Sequence, residues 1–425
     1  MTETLISILM ARLSSSEFDP IIGNSMESYL IDWLSLIFRW VHVITGIAWI
    51  GASFYFIWLD NHLQEPPEWK KNKGIKGDLW AIHGGGIYEV AKYKLSPESM
   101  PETLHWFKWE AYSTWLTGMV LLSVIYYLGA ESYLIDREIA DLTQLEAIAL
   151  GLGLIFSSYI FYERLCKSRF KNNTRLIAVI LSIVGVFLVY LLTNLFSGRG
   201  AFIHFGAIIG TLMVGNVFRV IIPSQRALVS AIESGGEPDP EWGQRAKLHS
   251  THNTYLTLPL IFIMISAHYP HTYAHSLNWL ILLIVCATTA FVRHYFVLRH
   301  KHVNKPQIIT ASLLVIFALA YYLMPPRIEV GELTVSERGV LNEQVEMIVL
   351  DRCGSCHSAK PTDEVFTIAP GGVVLDNLEQ IRQWSGRIKA RSVDTKDMPF
   401  LNKTGMLDEE RVLLGKWIAL DDLDR

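Results

Sequence analysis

Cys353-Gly354-Ser355-Cys356-His357 sets the organisation of this chain. Two cysteines three positions apart, with a histidine directly after them, form the attachment pattern of a c-type haem. Both thiols add to the vinyl groups, and His357 takes one axial face of the iron. A zinc site is disfavoured, because the other two cysteines, Cys166 and Cys286, stand alone inside hydrophobic runs.

Working outward, the pattern predicts a small all-α domain over 338–425, joined by a linker at 326–337. Leu341, Val345 and Ile348 recur at helical spacing and lead the cysteines in off a helix. Asp408 can cap a closing helix whose Leu413, Trp417 and Leu420 fall at i, i+4 and i+7. Between them Met398-Pro399 offers a thioether for the second axial face. The stretch Met398-Pro-Phe-Leu-Asn-Lys-Thr-Gly-Met406 resembles the methionine loop of small class I cytochromes c, which implies Met398 as ligand and leaves Met406 as its rival. The expected metal ligands are thus His357 and Met398. A haem filled on both faces carries single electrons and does little chemistry, so catalysis belongs elsewhere.

Elsewhere is most of the chain. Its 425 residues are 51% hydrophobic and 12% aromatic, and the mean hydropathy is +0.27, richer than a soluble two-domain protein needs. The net charge of -4 gives no sign of a nucleic-acid partner. Residues 1–25 read as a loose leader, with Glu3 where a signal peptide would be basic. From 26 to 325 the expectation is a polytopic membrane helix bundle. Eight stretches approach the roughly 20 residues a bilayer crossing requires: Ile31–Leu59, Glu110–Leu128, Leu145–Glu163, Leu176–Phe196, Ala201–Ile222, Ala246–Ala267, Ser276–Val297 and Gln307–Met324.

Two arguments orient these spans. Haem is attached covalently on the oxidising side of a bacterial inner membrane, so the C-terminal domain is expected to be periplasmic. An even number of spans puts the N-terminus there too. The loops after spans 1, 3, 5 and 7 should then be cytoplasmic and basic; the one after span 5 is mixed, and the other three meet the rule. They carry Lys70, Lys71, Lys73 and Lys76, then Arg164, Lys167 and Arg169, then Arg299 and Lys305, whereas the loop after span 2 is acidic, with Glu131, Asp136, Glu138 and Asp141.

Ionisable residues inside a membrane are costly and by default mark function. Span 1 carries Arg39 and His42, span 5 carries His204, Gly206-x-x-x-Gly210, Asn216 and Arg219, and span 6 begins with His249, His252 and Asn253. Span 7 ends with Arg293-His294, and His105 precedes span 2. His42 and His204 share an outer depth, while His105, His249, His252 and His294 fall at the inner rim. Histidines from different helices can hold a b-type haem, so one or two such haems at His42, His204, His249, His252 and His294 are expected. The competing account is that these rings only hydrogen-bond across helices. His83-Gly84-Gly85-Gly86, in the loop after span 1, reads as a turn more readily than a site.

The order Arg39-Trp-Val-His42, Gly46-Ile-Ala-Trp49, His83-Gly-Gly-Gly-Ile-Tyr88, His105-Trp-Phe-Lys-Trp-Glu110, Asn216-Val217, Ile222-Pro-Ser-Gln225 and His252-Asn-Thr-Tyr255, ahead of a C-terminal C-x-x-C-H, resembles the bacterial membrane-bound urate hydroxylases. The resemblance implies a cytochrome-linked oxidoreductase that converts urate to 5-hydroxyisourate in purine breakdown. Electrons would pass through haem c to a downstream cytochrome c or terminal oxidase. Urate is a planar anion crowded with donors and acceptors, which suits amide and guanidinium forks. Arg219, Asn253, Arg293 and His252 are the candidate catalytic residues, with Asn216 and Gln225 nearby in the sequence pattern. The alternative is a respiratory electron-transfer protein that takes electrons from quinol or another donor, without urate chemistry.

The orientation is checked with topology reporters. Tags after Lys73 and Lys171 should report cytoplasmic, and a tag after Tyr133 periplasmic; a cytoplasmic signal at Tyr133 removes the eight-span arrangement.

Overall fold

Each of the eight expected spans forms a helix, and side-chain caps fix where several of them begin. The structure, a computed structural model, describes residues 20–423 except 98, 300–302, 326, 327, 329, 330 and 332. Residues 1–19 of the expected leader and part of the expected linker lie outside the described residues. The helices are α1 (Pro20–His62), α2 (Trp109–Leu121), α3 (Gln144–Lys167), α4 (Thr174–Thr193), α5 (Gly198–Asn216), α6 (Pro240–Ser266), α7 (Asn278–Arg299) and α8 (Gln307–Tyr322). Thr143 and Glu146 close a reciprocal cap at the start of α3. Asn173 and Ser197 accept from Leu176 N at 3.0 Å and Gly200 N at 3.1 Å, so the first orphan amides of α4 and α5 are satisfied.

The chain divides into two compact units, Phe38–Met324 and the remainder. In the first, α5 is the central element. Phe202, His204, Phe205, Ile208, Ile209 and Met213 are buried around its whole circumference, and α2, α3, α4 and α6 all pack on it. Beyond Asn216 it widens into a π turn at Val217–Ile221 before continuing as Ile222–Glu233. Pro223 lacks the amide that would bond the Arg219 carbonyl, and a wider turn absorbs that loss.

Five of the eight helices have the length and apolar composition to cross a membrane: α1, α3, α4, α5 with its continuation, and α7. The other three, also expected as spans, do not meet both criteria. α8 has 16 residues, about 24 Å at 1.5 Å per residue, less than a ~30 Å hydrocarbon layer. α2 keeps regular geometry for 13 residues before a π turn. α6 is long, but its first half is polar. Val179, Ile183 and Phe187 on α4 and Leu314 and Phe317 on α8 are exposed. Apolar surface on this scale marks a membrane-associated protein.

The unit is mostly helical rather than strictly all-α. After α1 the chain makes an antiparallel hairpin of β1 (Ile75–His83) and β2 (Gly86–Tyr93), pairing His83 with Gly86. The glycine run is its two-residue turn. Gly84 at φ 57° and Gly85 at φ 82° both occupy the left-handed region, the geometry that matches strand twist and that side chains disfavour. Lys70 is buried beneath the hairpin and ion-paired to Asp78 and Glu89.

In the second unit α9 (Val335–Cys353) starts at a reciprocal Thr334–Glu337 cap and α10 (Asp408–Leu423) closes the chain. Val345, Val349, Ile381, Leu414, Trp417 and Ile418 form its core. Trp417 Nε1 donates to Asn342 Oδ1 at 2.7 Å, and Arg352 binds Glu410 at 3.0 Å. Both contacts tie α10 to α9.

The Gly206-x-x-x-Gly210 pattern of α5 makes a close contact at one glycine and not the other. A Cβ at Gly206 would come within 2.7 Å of Ile263 Cγ2, whereas one at Gly210 would meet nothing within 4 Å. Gly206→Ala should therefore cost about 1–3 kcal/mol through overpacking, and Gly210→Ala should cost little. Thermal unfolding in detergent compares them.

Candidate functional site

The first turns of α6 are polar and exposed at Glu241, Gln244, Arg245 and Lys247, and from His249 onward its polar side chains reach three other helices. Successive positions turn by about 100°, so neighbouring residues address different partners. His252 Nδ1 meets the Tyr162 hydroxyl of α3 at 2.8 Å. Asn253 Oδ1 accepts from Asn216 Nδ2 of α5 at 2.8 Å, and Asn253 Nδ2 donates to the Met213 carbonyl at 3.0 Å. The Tyr255 hydroxyl meets His294 Nδ1 of α7 at 2.7 Å. His249 bonds the Arg245 carbonyl through Nδ1, and its ring centroid lies 5.7 Å from that of His252.

Arg293 lies beside this hub with a different status. It is 5% exposed, and its guanidinium carbon sits 4.4 Å from the ring centroid of Phe54 on α1. Its Nε and Nη2 have no hydrogen-bond partner. Among the described residues only one other buried side-chain polar atom shares that condition, Glu110 Oε2 at the start of α2. An uncompensated buried charge costs several kcal/mol. Groups left this way are positions where an ordered water or a ligand of complementary chemistry completes the bonding.

The structure sorts the other candidates. Arg219 does not join Asn253 and Arg293: its side chain is 54% exposed, and its Nε pairs with Glu163 at 3.4 Å. Gln225 and His105 are exposed. Asn216 and Asn253 spend their bonded amides on each other and on Met213, so they hold helices together. His249 and His252 form a pair with Tyr162, while His294 stacks separately on Tyr255. Tyr162, Tyr255 and Glu110 were not among the sequence candidates. A charged or hydroxylated residue inside an apolar run was the signal available for each.

The outer histidines are not brought together. His204 is fully buried, with Nδ1 donating to the Gly200 carbonyl at 2.8 Å and Nε2 3.3 Å from the Tyr127 hydroxyl. A Cβ at Gly151 would lie 2.6 Å from that Nε2, so only glycine at this position of α3 lets the ring pack there. His42 packs on α2, its Nδ1 2.9 Å from the Thr114 carbonyl and 3.1 Å from Thr117 Oγ1. Among the described residues no group of three or more His, Cys, Asp or Glu side chains is arranged to hold a metal ion.

In the second unit the C-x-x-C-H residues suit covalent haem. Cys353 ends α9, and Cys353 and Cys356 are both free thiols. Burial pushes Cys353 up to about 12. His357 Nδ1 donates to the Val373 carbonyl at 3.0 Å, which leaves Nε2 for a metal. Burial holds this imidazole below its ordinary value, outweighing the opposing Val373 bond, so the ring is neutral at neutral pH. Met398 lies on a loop fixed on both sides: its amide donates to the Arg391 carbonyl at 3.0 Å, and its carbonyl accepts from Arg411 Nη1 at 2.6 Å. Met406 is instead 3% exposed and packed in the apolar core.

A helical membrane unit built around buried charge and histidine is the setting in which comparison with known proteins is informative. A family model described as urate oxidase N-terminal matches residues 28–324. The chain belongs to that family, and its membrane unit is a urate-related oxidoreductase unit. No curated protein and no solved structure matches the chain.

The two methionines are separated by substitution. Met398→Ala should keep covalent haem but lower its reduction potential as a weaker ligand replaces the thioether. Met406→Ala should leave the potential in place and lower stability by about 2–5 kcal/mol. Spectroelectrochemistry and thermal unfolding read the two effects, and the reverse pattern exchanges the assignments.

Proposed function

We propose that the chain is a membrane-bound urate hydroxylase that oxidises urate to 5-hydroxyisourate and passes the electrons through its C-terminal unit to the respiratory chain. The observation that carries this reading is the buried, partly unpaired guanidinium of Arg293 inside a urate oxidase family bundle. Urate at neutral pH is an anion, and a desolvated guanidinium braced on the Phe54 face presents N–H donors to it. His252 has its Nδ1 fixed by Tyr162, which leaves Nε2 to exchange a proton. Asn216 and Asn253 keep α5 and α6 in register around them.

The conversion balances as urate plus water giving 5-hydroxyisourate, two protons and two electrons. The haem held by Cys353, Cys356, His357 and Met398 supplies, when bound, a one-electron relay. Two successive transfers are therefore needed, with a downstream cytochrome c or terminal oxidase as acceptor. A b-type haem in the bundle would draw its ligands from His42, His204, His249, His252 and His294; Nδ1 of His42, His249, His252 and His294 is hydrogen-bonded, which leaves Nε2 for a metal, whereas Nε2 of His204 faces the Tyr127 hydroxyl at 3.3 Å. The domain reading follows: a urate-oxidising unit at 26–325 and a cytochrome c domain at 338–425. Eight crossings of a bacterial inner membrane would place the N-terminus and the cytochrome in the periplasm. That arrangement rests on the basic loops after α1, α3 and α7.

Anaerobic addition of urate to the purified, oxidised, haem-loaded protein should reduce its haem bands. Arg293→Gln should lower kcat/KM for urate at least ~10-fold, as expected from the 1.5–3 kcal/mol of a charged hydrogen bond. Reduction by a quinol but not by urate would select the electron-transfer alternative instead.

A further inference from the structure

We infer that Glu110 is the second pole of the Arg293 site, accepting an N–H of urate and taking a proton as urate is oxidised. This inference rests on the urate reading above. Glu110 Oε2 and the Arg293 Nε and Nη2 are the buried side-chain polar atoms among the described residues that lack hydrogen-bond partners. One is an acceptor and the others are donors, and they do not pair with each other. A ligand that satisfies both must carry acceptors at one edge and N–H groups at another. Urate does.

The helix register brings the two charges to one stretch of α1. His42 packs against Gly118, and Gly46 faces Thr114, so α1 and α2 run antiparallel and the next step of four sets residue 50 level with residue 110. Positions 110, 114 and 118 share one face of α2, which turns Glu110 toward α1. Arg293 covers Phe54, one turn beyond residue 50, or about 6 Å along the axis. Both charges therefore flank Ile50–Phe54.

The chemistry requires such a group. Oxidation with addition of water releases two protons and two electrons, and a haem held by Cys353, Cys356, His357 and Met398 would supply the one-electron acceptor. A carboxylate touching an N–H of the substrate takes one of those protons as the N–H bond breaks; the electron pair of that bond remains on the purine. A general base in contact with the proton it takes contributes typically 10²–10⁴-fold to the rate.

The test uses the full-length, haem-loaded protein, with urate binding measured by equilibrium dialysis beside urate-driven haem reduction. Glu110→Gln preserves size and one acceptor oxygen. It should hold urate within about threefold, lose at least ~100-fold in kcat and lose the acid limb of the pH profile. Should that variant fail to fold, Glu110→Asp, which withdraws the carboxylate, should keep KM and lose at least ~10-fold in kcat. A folded Glu110→Gln, or failing that Glu110→Asp, with kcat within threefold of wild type and an unchanged pH profile overturns the role of Glu110 and leaves the urate reading standing. Wild-type protein that neither binds urate nor is reduced by it overturns both.

Discussion

The Asn216–Asn253 bridge is the contact on which the arrangement of the membrane unit depends. It joins the two central helices where both are buried, at 1% and 8% exposure, and Asn253 bonds onward to the Met213 carbonyl. In an apolar interior a side-chain amide without partners costs more than the bond returns when made. The pair therefore fixes the rotation of α6 against α5. Once that rotation is set, His252 can only meet α3 and Tyr255 can only meet α7. The three contacts are one geometric decision.

Against this background the unpartnered atoms of Glu110 and Arg293 are informative. A bundle that satisfies its other buried side-chain polar atoms among the described residues has not left two opposite charges open through poor packing. Apolar replacements of the same size would be at least as stable. Their retention is consistent with a ligand that completes them, and the mixed donor and acceptor edges of a urate anion have that character.

How much was legible in the sequence follows from what kind of information each feature needs. Helix positions followed from apolar runs and short capping residues, so all eight expected helices form. The hairpin was missed although Ile75–Ile82 and Ile87–Tyr93 flank Gly84-Gly85 with β-branched and aromatic residues, because its lysines read as a topological signal. α6 falls short of a span by composition because its first half is polar, with Glu241, Gln244, Arg245 and Lys247 exposed. Arg219, His204 and Arg293 show the harder limit. All three are ionisable residues within apolar runs. One ends half-exposed against Glu163, one packed against Gly151 and Tyr127, and one buried with open donors. Only tertiary packing separates them.

The same distinction separates the chain's two tasks on the proposed reading. Protons can be taken only by groups in contact with the substrate, so they call for Glu110, His252 and Arg293 at fixed positions in the bundle. Electrons need no such contact and can leave through a carrier built from a short motif on another unit. His357 illustrates the local part of that carrier: one carbonyl, that of Val373, orients the ring and frees Nε2. The membrane unit needs many mutually dependent contacts to hold two open charges, and this is why its site is scattered from residue 54 to residue 293. The haem motif lies within five consecutive residues, and the sequence could be read from there first.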